Sequence, residues 1–178
     1  TGTADVFFNL DEVLDDDFRH PVPMGINGID NLLKGGLAKG EIGVILAPTG
    51  VGKTTVLTKI SNNAFNLGYN VLQIFFEDNP KIIQRKHFTM WTKIAPDNLS
   101  LHREQVLKKV KEIKEQAPNR LILKKLPSDQ LTMSQIKNQI RKMIAEGIKI
   151  DMVVLDYIDC IVPDRNLGDE WKSEGSVM

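Results

Sequence analysis

Eight residues, Ala47-Pro48-Thr49-Gly50-Val51-Gly52-Lys53-Thr54, constrain this chain more than any other stretch. They follow the phosphate-loop pattern G-x-x-x-x-G-K-[ST] (Walker A), with Ala at the first place. Such a loop needs a buried strand before it and a helix after it. Residues 41–46 are short and apolar, as a buried parallel strand is. Over residues 54–67, Val56, Leu57, Ile60 and Ala64 share one helical face, and Gly68 supplies a stop. Gly50 and Gly52 let the backbone curl so that N–H groups point inward, where a side chain would block a phosphate. The helix start adds the positive end of its dipole. Lys53 then reaches the β- and γ-phosphates, and the Thr54 hydroxyl holds Mg²⁺. With Thr55, these nine residues are the expected nucleotide-binding set. The competing reading, a glycine-rich turn beside a surface lysine, does not explain the strand–loop–helix setting.

The 178 residues suit one domain by length, and 42% apolar content suffices for a sizeable core. No run of 18 apolar residues suggests a membrane span, and no N-terminal signal pattern is present. A single cysteine, Cys160, excludes a disulfide framework and fits a reducing compartment. The formal net charge of zero hides a pattern. Residues 1–20 carry six acids and one base, residues 81–149 sixteen bases and six acids, and residues 151–178 seven acids and two bases. The basic middle suits an anionic partner, although many of its lysines sit on helix faces that solvent alone would explain.

In chain order, Asn9 to Glu12 reads as a capping box, followed by an apolar stripe of Leu10, Val13, Leu14 and Phe18. Pro21 and Pro23 detach this segment, so residues 1–20 are expected to fold back or to dock on a neighbouring subunit. Ile29, Leu32 and Leu33 suggest a short helix stopped at Gly35-Gly36. Residues 69–76 read as a second strand, and Asn79-Pro80 opens a helix with Ile82, Ile83 and Phe88 apolar. Pro96-Asp97-Asn98 marks a turn. A helix over 101–116 presents Val106, Leu107, Val110 and Ile113 to the core. A strand over 121–126 precedes a capping box, Thr132 to Gln135, whose helix carries Ile136, Ile140, Met143 and Ile144 and stops at Gly147. Residues 152–156 form a fourth strand. Strands alternating with helices imply an α/β fold with a parallel sheet flanked by helices.

Two carboxylates complete the pattern. Asp156 ends an apolar strand downstream of the loop, the Walker B arrangement that delivers a carboxylate to Mg²⁺. Asp151 lies at the wrong end of that strand. Glu77 follows the second strand, and ligands of open α/β sheets bind at the carboxyl ends of the strands. Glu77 could activate the water that attacks the γ-phosphate. It could equally cap the next helix, and Asp78 competes for both roles.

These residues resemble a known family. Met24-Gly25-Ile26-Asn27-Gly28-Ile29-Asp30-Asn31-Leu32-Leu33 and Gly35-Gly36-Leu37-Ala38-Lys39-Gly40-Glu41 are similar to the start of RecA-like P-loop NTPases. Phe75-Phe76-Glu77 resembles the strand end Ser-Leu-Glu of DnaB-like replicative helicases, and Leu155-Asp156-Tyr157 their Asp-Tyr Walker B. The resemblance spans about residues 21–160. It implies ATP and Mg²⁺ as ligands, Lys53 and Glu77 as catalytic, and Thr54 and Asp156 as metal ligands. It further implies an ATP-dependent DNA helicase that works as a homo-hexamer on single-stranded DNA. Its setting would be the cytoplasm of a bacterial cell or a phage-infected host. Residues 9–18 would be the helix that docks on the next subunit, and residues 21–178 the ATPase domain. Asp159 stands where the family usually carries Gln. The resemblance places the family's arginine finger, DNA loops and further strands beyond Met178, so the domain is expected to be truncated after the Walker B strand. Asp164-Arg165-Asn166 would begin the first DNA loop. Two other readings fit the same residues: a RadA/KaiC-like ATPase of recombination or regulation, and a non-enzymatic nucleotide-binding module.

Overall fold

The structure, a computed structural model, describes residues 6, 11, 14, 19–48, 50–127, 131–156, 161 and 162. The expected capping box at Asn9 and the helix over residues 9–18 lie outside these, apart from isolated positions. So do Thr49, Tyr157, Asp159, Cys160 and Asp164-Arg165-Asn166. Two compact units divide the chain, residues 1–46 and 47–178.

The first unit is a polar clasp. Helix α1, Asn27–Leu32, has no side-chain cap. Instead, the Asp30 carboxylate in its first turn accepts from three consecutive amides, Met24 at 2.6 Å, Gly25 at 3.0 Å and Ile26 at 3.1 Å. Val22 and Leu37 form an antiparallel bridge. The chain passes so close there that a Cβ on Gly36 would stand 2.1 Å from the Val22 carbonyl oxygen, and φ is +126°. Only glycine fits. Arg19 donates two hydrogen bonds to the Glu41 carboxylate, at 2.9 and 2.6 Å, and another to the Leu33 carbonyl. That bidentate pairing raises the Arg19 pKa and lowers that of Glu41.

The strand expected over residues 41–46 is not there. Residues 41–48 carry no regular structure, and Ile42, Val44 and Leu46 are 88%, 66% and 90% exposed. A strand exists only by pairing. Within this unit the first residue of the run is committed to the clasp: Glu41 accepts from Arg19 and Ala38 and turns back through its own amide onto the Ala38 carbonyl.

The second unit is a three-layer α/β structure. Its elements are α2 (Lys53–Asn66), β1 (Val71–Phe75), α3 (Pro80–Thr92), a 3₁₀ turn (Pro96–Asn98), α4 (Arg103–Gln116), β2 (Leu121–Lys125), β3 (Leu131–Thr132), α5 (Met133–Ala145), β4 (Met152–Asp156) and β5 (Ile161–Val162). Strand β1 is central and pairs in parallel with β2 and β4. Strands β3 and β5 form a separate parallel pair that sequence patterning does not anticipate, each being two residues long.

Every residue of β1 is buried, as a central parallel strand requires. Its side chains alternate between two faces. Leu72 and Ile74, with Phe76 just beyond the strand, pack with Leu126 and with Ile136 of α5, joined by Ile140, Met143 and Leu155. Val71, Gln73 and Phe75 point to the other face, where α2 and α3 lie. The expected caps form. Thr132 and Gln135 exchange the two bonds of a capping box, at 2.8 and 3.2 Å. Asn79 accepts from the Lys81 amide with Pro80 in the first turn. Gly68 ends α2 at φ +95°.

Helical faces agree less well with expectation. Val106 is buried, but Leu107 is 45% exposed, and Ile82 and Ile144 are also exposed. An apolar stripe about one residue in four wide is enough to seat α4, so its neighbours face solvent.

Leu72→Ala should destabilise the second unit by about 2–5 kcal/mol, because a fully buried leucine leaves a cavity. Leu107→Ala should stay within about 0.5 kcal/mol. Urea unfolding would show a lowered midpoint with an unchanged slope for the first variant only.

Candidate nucleotide site

The phosphate loop folds locally as its glycines dictate. Gly50 and Gly52 have φ of +83° and +99°, and a Cβ at either would meet nothing within 4 Å. The space around them is therefore open, and only their backbone conformation demands glycine. Gly52 is the N-cap of α2, and this residue has no side chain with which to cap the first turn. The N-cap position of α2 thus lacks the side-chain oxygen that many helices place there. Lys53 is the first residue of α2, followed by Thr54 and Thr55. Pro48 and Val51 are exposed and Ala47 is half-buried.

Contacts along α2 fix its direction against the sheet. Thr58 accepts from the Gln73 amide at mid-strand, at 3.1 Å. The Ala64 carbonyl accepts from Tyr69, just before β1 begins. At that same amino edge, Asn119 donates to the Phe65 and Tyr69 carbonyls, at 2.7 and 2.8 Å. So α2 runs antiparallel to β1. From Thr58 back to Thr54 is about 6 Å of helix rise. From Gln73 forward to Phe75 is about 6.6 Å of strand. The first turn of α2 therefore lies level with Phe75, at the carboxyl edge.

Asp156 is at that edge too. It pairs with Phe75 in register, its carbonyl accepts from the Phe76 amide at 3.2 Å, and it is 6% exposed. Because paired residues of parallel strands share a face, Asp156 points to the side occupied by α2, as Gln73 does. Glu77 lies two residues beyond the end of β1, exposed, with its carbonyl accepting from Lys125 Nζ at 3.1 Å. Lys125 in turn lies opposite Phe75 on the other side. Asp151 is at the amino edge: its Oδ2 accepts from the Asn70 amide and side chain, both at 2.8 Å. Burial alone would raise its pKa, but those bonds and Lys149 hold it below the ordinary carboxylate range.

The donor set fits Mg²⁺. That ion keeps several waters and takes one or two protein oxygens plus substrate phosphates. Thr54 and Asp156 offer one hydroxyl and one carboxylate at a shared edge. Among the described residues no cluster of three or more His, Cys, Asp or Glu offers an all-protein cage, which Mg²⁺ does not need.

Beneath the site lies a network that sequence patterning does not single out. Gln73, Thr58, Asn62 and His87 are all buried, and they bond to one another. The signals were present: one amide in the run Val71-Leu72-Gln73-Ile74-Phe75, and three polar residues, Thr58, Ser61 and Asn62, on the inner face of α2.

Such an uncapped, glycine-led helix start over a parallel sheet edge, with a strand-end carboxylate beside it, defines a P-loop nucleotide-binding domain. Residues 21–175 match the DnaB-like helicase C-terminal domain family, and the chain belongs to that family. The fold is similar to the ATPase domain of G40P, with a TM-score of 0.66 and 16% identity over 82% of this chain and 52% of that one. The DNA repair protein RadA of Aquifex aeolicus is 32% identical over 100 residues, which is 56% of this chain and 22% of RadA. The chain thus spans about half of that G40P ATPase-domain chain and about a fifth of RadA. The RecA-like α/β fold expected from sequence is the fold observed. Among the described residues no helix is long and apolar enough to cross a membrane.

Burial depresses the His87 pKa to about 4 from 6.5. The unfolded chain then binds a proton between these values that the folded one does not. Stability from this group is complete above pH 6.5 and falls by about 1.4 kcal/mol per unit as pH drops towards 4. Urea titrations should show a shallower fall over that window for His87→Gln than for the parent.

Proposed function

We propose that this chain is the ATP-hydrolysing motor of a hexameric helicase that translocates on single-stranded DNA, with ATP and Mg²⁺ bound at the start of α2. The observation that carries the reading is the shared edge of the uncapped α2 start, Asp156 and the β1–Glu77 segment, in a chain of the DnaB-like helicase family. Gly50, Gly52 and the first-turn amides of α2 cradle the phosphates, along with the loop backbone from Ala47 to Thr55. Lys53 bridges the β- and γ-phosphates. Thr54 and Asp156 would hold Mg²⁺, which when bound would supply charge neutralisation at the phosphates. Glu77 orients the attacking water and takes its proton. The setting is a bacterial or phage-infected cytoplasm.

The 100-residue similarity to RadA favours a second reading, a RecA-family ATPase of recombination or regulation. Both readings share the nucleotide chemistry and part at DNA unwinding, which only the first performs.

Lys53→Ala should abolish measurable nucleotide binding. Glu77→Gln should lower DNA-stimulated turnover by about 10²–10⁴-fold while leaving ATP affinity near that of the parent, as a transition-state contact does. Asp156→Asn should weaken Mg²⁺-dependent affinity itself. Turnover close to the parent rate in Glu77→Gln would move the base elsewhere, to Asp78 first.

Residues 1–20 are proposed as the segment that docks on the next subunit, and Leu14 stands 79% exposed. Leu14→Asp should shift the size-exclusion profile from ring to smaller species, because a charge buried at an apolar contact is costly. An unchanged profile would return the segment to its own domain.

A further inference from the structure

Six hydrogen bonds run unbroken from the surface of α3 to the first turn of α2. Trp91 Nε1 donates to Asn66 Oδ1 at 3.2 Å. Asn66 donates to Asn62 Oδ1 at 3.1 Å. The Asn62 amide nitrogen bonds His87 Nδ1 at 3.1 Å, and His87 Nε2 bonds Gln73 Oε1 at 3.1 Å. Gln73 Nε2 donates to Thr58 Oγ1 at 3.1 Å, and Thr58 donates to the Thr54 carbonyl at 2.7 Å.

The two ends fix every proton between them. An indole N–H can only donate, and a carbonyl can only accept. Each amide must therefore present its oxygen towards Trp91 and its nitrogen towards Asn62's or Gln73's next acceptor, down to Thr58. His87 must accept at Nδ1 and donate at Nε2, the neutral tautomer. No other orientation satisfies all six bonds.

We propose that His87 is a positioning residue for the nucleotide site: through Gln73 and Thr58 it holds the first turn of α2 level with the strand ends that carry Asp156 and lead to Glu77. This rests on the nucleotide site proposed above and adds to it a residue that touches neither substrate nor metal. The joint is made where α2, β1 and α3 meet. Gln73 is the polar member of a strand otherwise apolar and fully buried. His87 is the buried group that satisfies both it and Asn62. Apolar burial is non-directional and by itself defines the axial position of α2 on β1 less sharply than directed bonds do. A chain of directed bonds in a dry interior permits one axial position. That position sets the distance between Thr54 and Asp156, which must be right when the transition state forms. Misplacement of about 1 Å in such a constellation is enough to cost about 100-fold.

The test is a kinetic split in the assembled ATPase. His87→Leu fills the same space but breaks the chain, leaving Gln73 and Asn62 unsatisfied. It should lower kcat for ATP about 10-fold or more while KM stays within about threefold, a loss confined to the transition state. His87→Gln keeps an acceptor and a donor and should recover most of the rate. Thr58→Val and Thr58→Ser repeat the comparison at the other end of the bonded chain, one turn from the start of α2, and decide the matter if His87→Leu fails to fold. Folded His87→Leu or Thr58→Val proteins with parent kcat would overturn the proposal. Equal loss in His87→Leu and His87→Gln, or in Thr58→Val and Thr58→Ser, would overturn it too, by reducing both sites to packing. Lys53→Ala in the same series keeps the two ideas apart: parent-like nucleotide binding there would sink the site itself, whatever His87 does.

Discussion

The bond from Gln73 to Thr58 ties α2 to the central strand, and the geometry of the candidate site depends on that tie. Strand β1 is buried on both faces and paired on both sides, so it cannot move without breaking the sheet. Helix α2 has only one face against it. The bond at mid-strand and the contacts of Ala64 and Phe65 near Tyr69 give the helix a direction and a height. From those follow the level of Lys53 and Thr54, and their sharing of an edge with Asp156.

The same interior carries a cost that an apolar one would avoid. Burying an amide, a hydroxyl and an imidazole is unfavourable unless each is bonded. Here each is bonded, and the imidazole stays neutral because burial opposes its charge. The gain is specificity of position rather than net stability, since a typical internal hydrogen bond contributes only about 1 kcal/mol. A leucine-filled interface of equal volume could match the stability and lose the register. The opposite face of the sheet shows the contrast: Leu72, Ile74, Phe76 and Ile136 form an ordinary apolar core, where α5 needs only to be seated.

Much of this was legible in the sequence because it is written locally. The α2 start follows from Gly50, Gly52 and Lys53, the α5 start from Thr132 and Gln135, and the β4 edge from one aspartate after four apolar residues. That residues 41–46 form no strand was not legible. A short apolar run describes a segment that can pair, and pairing depends on what lies beside it; Glu41 is instead held by Arg19 and Ala38. Strands β3 and β5 were too short for any period. The network under the site was hidden for a third reason. Gln73, Thr58 and His87 are distant in sequence, and a polar residue within an apolar run looks like an interruption until its partner is known. Likewise Leu107 shares a helical stripe with Val106 in sequence but not in space.

Nucleotide and metal are proposed to sit where the start of α2 meets the ends of β1 and β4. Paramagnetic broadening by Mn²⁺ in place of Mg²⁺, with bound nucleotide, tests this placement most directly, because the metal reports its own position through nearby amide resonances. Amides of Gly52, Lys53, Thr54 and Thr55 should broaden together with those of Glu77 and Asp156, while those around Asn119 and Asp151 at the opposite edge stay sharp. Broadening centred on Asp151, or on the cleft of about 250 Å³ lined by Trp91, Gln105 and Lys108, would contradict it.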